Sequence, residues 1–120
     1  MKILIVDDSK AMRLIVMRQL RQAGYGDAKT FEAANGLEAL AAVEEHQPDL
    51  VLSDWNMPEM NGYDFLKALR AKGDERPFGF ITSEGTTEMR DLARDAGAAF
   101  LISKPFTTDD YLKAFALAKV

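Results

Sequence analysis

The sequence predicts a doubly wound α/β fold: one five-stranded parallel sheet with five helices distributed over its two faces. Three observations carry that expectation. Five apolar, β-rich runs recur along the chain, KILIV (2–6), AKTFEA (28–33), LVLS (50–53), FGFIT (78–82) and AFLIS (99–103). Each is followed by a stretch whose apolar residues return at helical spacing. Glycine, asparagine and proline fall between the two kinds of segment, where they punctuate structure. Five successive strand–helix units make a parallel sheet, and right-handed crossovers bring all the strand carboxyl ends to one edge, where ligands bind in such folds.

Each element has its own warrant. Runs one, three and five are almost continuously apolar, as strands covered on both faces are. Run two alternates and is expected at a sheet edge. Met12, Ile15, Val16 and Leu20 share a face of the first helix, which Gly24 closes. Asn35-Gly36 opens the second helix, whose stripe is Leu37, Leu40 and Val43. Phe65, Leu66 and Leu69 serve the third, and Met89, Leu92 and Ala96 the fourth, closed by Gly97. Thr107 opens the fifth, with Leu112, Phe115 and Ala116 as its apolar face. Pro48, Pro77 and Pro105 all fall outside helices, as proline must.

Composition narrows the function. A chain of 120 residues is expected to form a single domain over residues 1–120. With 48% apolar and 28% charged residues it has the balance of a globular protein. The absence of cysteine excludes disulfides and thiolate metal sites. MKILIVDD turns acidic too early for a signal peptide, and no apolar run has the length of a membrane span. These features predict a cytoplasmic protein without a membrane partner. A net charge of −4 argues against nucleic acid, whose phosphates demand a surplus of Lys and Arg.

The carboxyl edge gathers the chemistry. Asp7 and Asp8 follow strand one, Asp54 strand three, Thr82 and Ser83 strand four, and Lys104 strand five. Taken singly, each has a plain use. Asp8 or Ser9 can cap the first helix, and Thr82 or Ser83 the fourth. Asp54 can end a turn, and Lys104 can be a solvated loop residue. Taken together they point to a site, because carboxylates about 4 Å apart repel by roughly 4 kcal/mol at a surface-like dielectric and call for a cation. Hard oxygen ligands beside open water positions suit Mg²⁺. A cation held by Asp7, Asp8 and Asp54 brings a phosphoryl group to Asp54, a carboxylate nucleophile, while Lys104 and the Thr82 hydroxyl cover the remaining phosphoryl oxygens.

VDDS (6–9), DWNMPEMNG (54–62), ITSEG (81–85) and KPF (104–106) together resemble the four signatures of response-regulator receiver domains, and the likeness runs the length of the chain. It is strongest to the family's chemotaxis members. The resemblance implies a flavodoxin-like strand order of 2-1-3-4-5. It implies Asp54 as phosphoacceptor, with Asp8 and Asp54 binding Mg²⁺ directly, Asp7 through water, and the Asn56 backbone carbonyl completing the protein ligands. Thr82 becomes the switch hydroxyl, Lys104 contacts the phosphoryl group, and the bond before Pro105 is cis. The implied donor is a phosphohistidine on a sensor histidine kinase. The implied partner is a flagellar switch protein or a phosphatase, met through the fourth helix, fifth strand and fifth helix, including Arg90, Leu101 and Lys119. A monomer is the default. The protein is then a signalling switch and not an enzyme, though it assists its own phosphoryl transfer and autodephosphorylation.

Two features depart from or refine that pattern. Such domains usually carry an aromatic residue three positions before the lysine, where this chain has Leu101, with Phe100 one residue earlier. A one-residue shift in a strand sends a side chain to the opposite face, so either Leu101 couples through volume alone or a bulge realigns Phe100. Asn56 and Glu84 flank the acceptor at positions that tune phosphoryl lifetime in the family, and a polar amide and an acid there predict a short-lived phosphoform; Glu84 can equally serve the fourth helix's N-terminus. His46, the one histidine, falls near the end of helix two as a surface residue, far from that edge. The alternatives are a phosphate sink or relay without an output partner, and a small aspartyl-phosphate phosphatase, which favours an Asp-x-Asp pair where this chain has Asp54-Trp55-Asn56. A flavodoxin-like carrier is a further rival, but Asp7-Asp8 would repel a flavin phosphate.

Overall fold

The computed structural model describes residues 1–104 and 106–119. Five strands, β1 (Lys2–Val6), β2 (Lys29–Ala33), β3 (Leu50–Ser53), β4 (Phe78–Thr82) and β5 (Phe100–Ser103), pair in parallel in the order β2-β1-β3-β4-β5. The helices are α1 (Lys10–Leu20), α2 (Gly36–His46), α3 (Gly62–Ala71), α4 (Thr87–Asp95) and α5 (Thr108–Ala118). Among the described residues no helix is long and apolar enough to cross a membrane.

Strand alternation divides the core into two layers. Ile3, Ile5, Leu50, Leu52, Ile81, Phe100 and Ile102 face α1 and α5, meeting Val16, Leu20, Tyr111 and Phe115. Leu4, Val6, Val51, Phe78 and Phe80 face the other way, onto Val43, Phe65, Leu66 and Leu69 of α2 and α3 and Ala93 of α4. β1, β3 and β4 are therefore covered on both faces. β5 is the second edge strand, alternately buried and half-buried, so its continuous apolar run did not mark a central position.

Caps explain where helices start. Ser9, Asn35, Asn61, Thr86 and Thr107 each accept from the backbone N–H three residues on. Ser9 rather than Asp8 caps α1, and Thr86 rather than Thr82 or Ser83 caps α4. Past Leu20 the first helix loosens into a π-turn, Arg21–Tyr25, within which Gly24 turns the chain at φ 99°.

Four helical stripes differ from expectation. Leu37, Leu92 and Leu112 are exposed, with Ile15 and Ala116, while Ala39, Ala93 and Ala114 are buried. An alanine lets a helix lie close on the sheet, which turns the bulkier leucine outward. His46 stacks on Phe31, with centroids 3.9 Å apart, and is half-buried instead of free on the surface.

Candidate functional site

Asp7, Asp8 and Asp54 come together at the carboxyl edge of β1 and β3. One carboxylate oxygen from each lies within 4.8 Å of the others. Adjacent strands place them: Val6 pairs with Ser53, so the residues after each leave the sheet side by side. Asp7 is buried, Asp54 half-buried and Asp8 exposed, a set that grades from core to solvent. Lys104 reaches in from the end of β5, its Nζ 3.3 Å from Asp7 Oδ2 and 3.5 Å from Asp54 Oδ2. Three carboxylates against one ammonium leave two negative charges uncompensated when all are ionised. Burial raises the Asp54 pKa above the usual carboxylate value; Lys104 opposes that shift and Asp7 adds to it. Hard oxygens, a residual charge of two and an open side match a small divalent cation.

The backbone around Asp54 is fixed from several directions. Its N–H donates to the Val6 carbonyl at 2.8 Å, and its Oδ1 accepts from the Trp55 N–H at 2.7 Å. Ser53 is buried, and its hydroxyl donates to the Asp54 carbonyl at 2.8 Å. Gly62 closes the loop by donating to the Trp55 carbonyl at 2.8 Å, and a Cβ on Gly62 would lie 2.0 Å from the Asp54 carbonyl oxygen. Only glycine allows that approach. Trp55 lies between Tyr63, stacked with centroids 5.1 Å apart, and Phe80 at 4.7 Å. Asn56 is exposed on the same loop.

Thr82 ends β4 fully buried, beside Lys104, whose N–H donates to the Thr82 carbonyl at 2.7 Å. Its hydroxyl accepts from the Glu84 N–H at 3.3 Å, and the Glu84 side chain is exposed. β4 and β5 pair without a bulge, Gly79 opposite Phe100 and Phe80 opposite Leu101. Phe100 thus faces α5, its ring filling the space over Gly79, while half-buried Leu101 faces α4. The realignment of Phe100 does not occur. Pro105 and the bond before it lie outside the described residues.

Sequence reasoning missed Arg13. Its Nη1 donates to the Asp7 carbonyl and its Nε to Glu32 Oε1 at 2.9 Å, tying the loop after β1 to the end of β2. It gave Ser9 only as a helix cap and missed its backbone N–H, which donates to Asp7 Oδ1 at 2.9 Å. Neither stands at a strand end, so the edge inventory passed over both.

The chain belongs to the response regulator receiver domain family, whose profile matches residues 3–116. Chemotaxis protein CheY-3 of Vibrio cholerae is 45% identical over 109 residues, covering 89% of this chain and 82% of that protein. Sporulation initiation phosphotransferase F of Bacillus subtilis is 37% identical over 109 residues, covering 91% and 86%. Among solved structures, the chemotaxis response regulator CheY4 of Vibrio cholerae superposes with a TM-score of 0.83 at 35% identity, covering 98% of this chain and 97% of that one.

Proposed function

We propose that this protein is a response regulator of a two-component chemotaxis pathway, switched by phosphorylation of Asp54. The observation that carries the reading is the carboxylate cluster of Asp7, Asp8 and Asp54 with Lys104 Nζ reaching both Asp7 and Asp54. Asp7, Asp8, Asp54 and the Asn56 carbonyl are the groups to hold Mg²⁺. When bound, that cation supplies the positive charge that lets a phosphate approach three carboxylates.

The chain's own groups do the rest. An Asp54 carboxylate oxygen forms a bond to phosphorus as the P–N bond of a kinase phosphohistidine breaks, and the imidazole leaves with the electron pair and takes up a proton. The Trp55 N–H and Ser53 hydroxyl fix the carboxylate and its backbone, so that little reorganisation is needed at attack. Lys104 gives up part of its contact with Asp54 to meet the incoming phosphoryl oxygens, and the Thr82 hydroxyl supplies a further donor. Asn56 and Glu84, both exposed, leave water access, which gives a short-lived phosphoform rather than one that persists for hours. The signal leaves through α4, β5 and α5, toward a partner such as a flagellar switch protein.

Likeness to a protein named as a phosphotransferase favours a second reading, a relay that passes the phosphoryl group on. A pull-down with phosphorylated and unphosphorylated protein separates the two, since only the first requires a phosphorylation-dependent partner.

Trp55 fluorescence tests the site. Saturable change on adding Mg²⁺, then a further change with acetyl phosphate that reverses on its removal and is absent in Asp54→Asn, is expected. A folded protein silent to both contradicts the reading.

A further inference from the structure

The loop after β4, residues 83–86, is fastened to β5 by Arg90 and packs close against it at Gly85. Arg90 of α4 reaches back with its whole guanidinium: Nη1 donates to the Leu101 carbonyl at 3.0 Å, Nη2 to Ser103 Oγ at 3.0 Å, and Nε to the Gly85 carbonyl at 3.4 Å. Opposite it, Gly85 lies so near β5 that a Cβ there would stand 1.9 Å from Ser103 Oγ and 3.2 Å from Arg90 Nη2. The bond and the close approach meet at Ser103, the residue before Lys104. The loop in turn holds Thr82, whose hydroxyl accepts from the Glu84 N–H. A Thr82 side chain that turns toward Asp54 must give up that bond, and the segment 83–86 must shift with it.

We propose that Arg90 is a positioning residue: by bridging Gly85, Leu101 and Ser103 it holds the loop after β4 in the arrangement that keeps Thr82 back, and so slows phosphorylation of Asp54. The inference rests on Asp54 being the acceptor. A rigid planar fork with several donors can span three acceptors at once, whereas a lysine ammonium at the same place is a compact point charge and cannot. Arg90 makes no hydrogen bond to the carboxylate cluster or to Lys104, so its effect on the reaction passes through the loop and through Ser103.

Hydrogen–deuterium exchange on the metal-free, unphosphorylated full chain reads the loop directly. In Arg90→Ala, protection of residues 83–86 falls about three- to tenfold. Arg90→Lys recovers little of it. Ser103→Ala gives a smaller loss, and the double variant loses no more than Arg90→Ala, because the two share a bond. Phosphorylation by acetyl phosphate then runs about three- to tenfold faster in Arg90→Ala. The Mg²⁺ midpoint read from Trp55 is unchanged, a combination that general loosening of the fold does not produce. Unchanged exchange, strictly additive losses, or an equal or slower phosphorylation rate overturns the inference. A wild-type protein that accepts no phosphoryl group overturns the Asp54 reading and with it the effect on rate, while the exchange result still decides whether Arg90 fastens the loop.

Discussion

Asp54 stands where the needs of folding and of chemistry pull apart. A carboxylate half-buried beside Asp7 is raised in pKa by its burial, and folding alone gains nothing from it. What surrounds it is spent on holding it still: the Trp55 N–H on one oxygen, Lys104 near the other, and Gly62 packed against its carbonyl. Gly62 is the residue with least room to change. Replacing it with alanine puts a methyl group 2.0 Å from a backbone oxygen, close to Phe80 and Ser53 as well. Overpacking of this kind costs about 1–3 kcal/mol or more. Gly62→Ala is therefore expected to lower stability by that amount and to weaken the Mg²⁺ response of Trp55 several-fold, as chemical denaturation and a metal titration measure. The acids and Lys104 were legible because parallel order makes every strand end a candidate. Arg13 was not, and Arg90 was named only for the partner face and not for its bonds, because both act through long side chains that reach partners 19 and 11–13 positions away.

At the scale of elements, the strands were nearly legible to the residue, and only β2 and β5 begin one position later than their apolar runs. Helix faces were less so. On a short helix two overlapping stripes can both look apolar, and the choice falls to small residues that let the backbone approach the sheet, as Ala39, Ala93 and Ala114 do. The connection from α3 to β4 is another element whose fastening pattern gave no sign. Arg76 donates to both oxygens of Asp74 and to the Pro48 carbonyl, and Arg70 donates to the carbonyls of Asp74, Arg76 and Gly97. Hydrogen bonds from Arg76 hold the Asp74 carboxyl below its ordinary pKa. The folded protein thus keeps Asp74 ionised to lower pH than the unfolded chain does. Its contribution is present above the unfolded value of 3.8 and is lost as pH falls through the lowered folded value. Asp74→Asn is expected to cost about 1–2 kcal/mol near neutral pH, with the gap from wild type closing below pH 4. Urea unfolding at the two pH values checks this, and a gap that persists undiminished in acid would count against the clamp.

The whole molecule is a sheet with two apolar layers and one rim of clustered carboxylates. The layers are filled by opposite faces of the same strands, so the rim inherits its geometry from the core: Asp7 and Asp54 stand together because Val6 and Ser53 are paired and buried beneath them. That is why the carboxylate cluster could be assembled from strand ends alone, and why the contacts that long side chains make across loops could not. Leu101, half-buried, and Arg90, exposed, lie at the margin of the layer on the α4 side. The central claim is that this rim makes Asp54 a Mg²⁺-dependent phosphoryl acceptor. Intact-mass measurement after incubation with acetyl phosphate tests it most directly. The account predicts one phosphoryl group added with Mg²⁺ present, none after chelation, and none on folded Asp54→Asn. An adduct that survives in Asp54→Asn, or no adduct on the folded wild type with Mg²⁺ present, would contradict it.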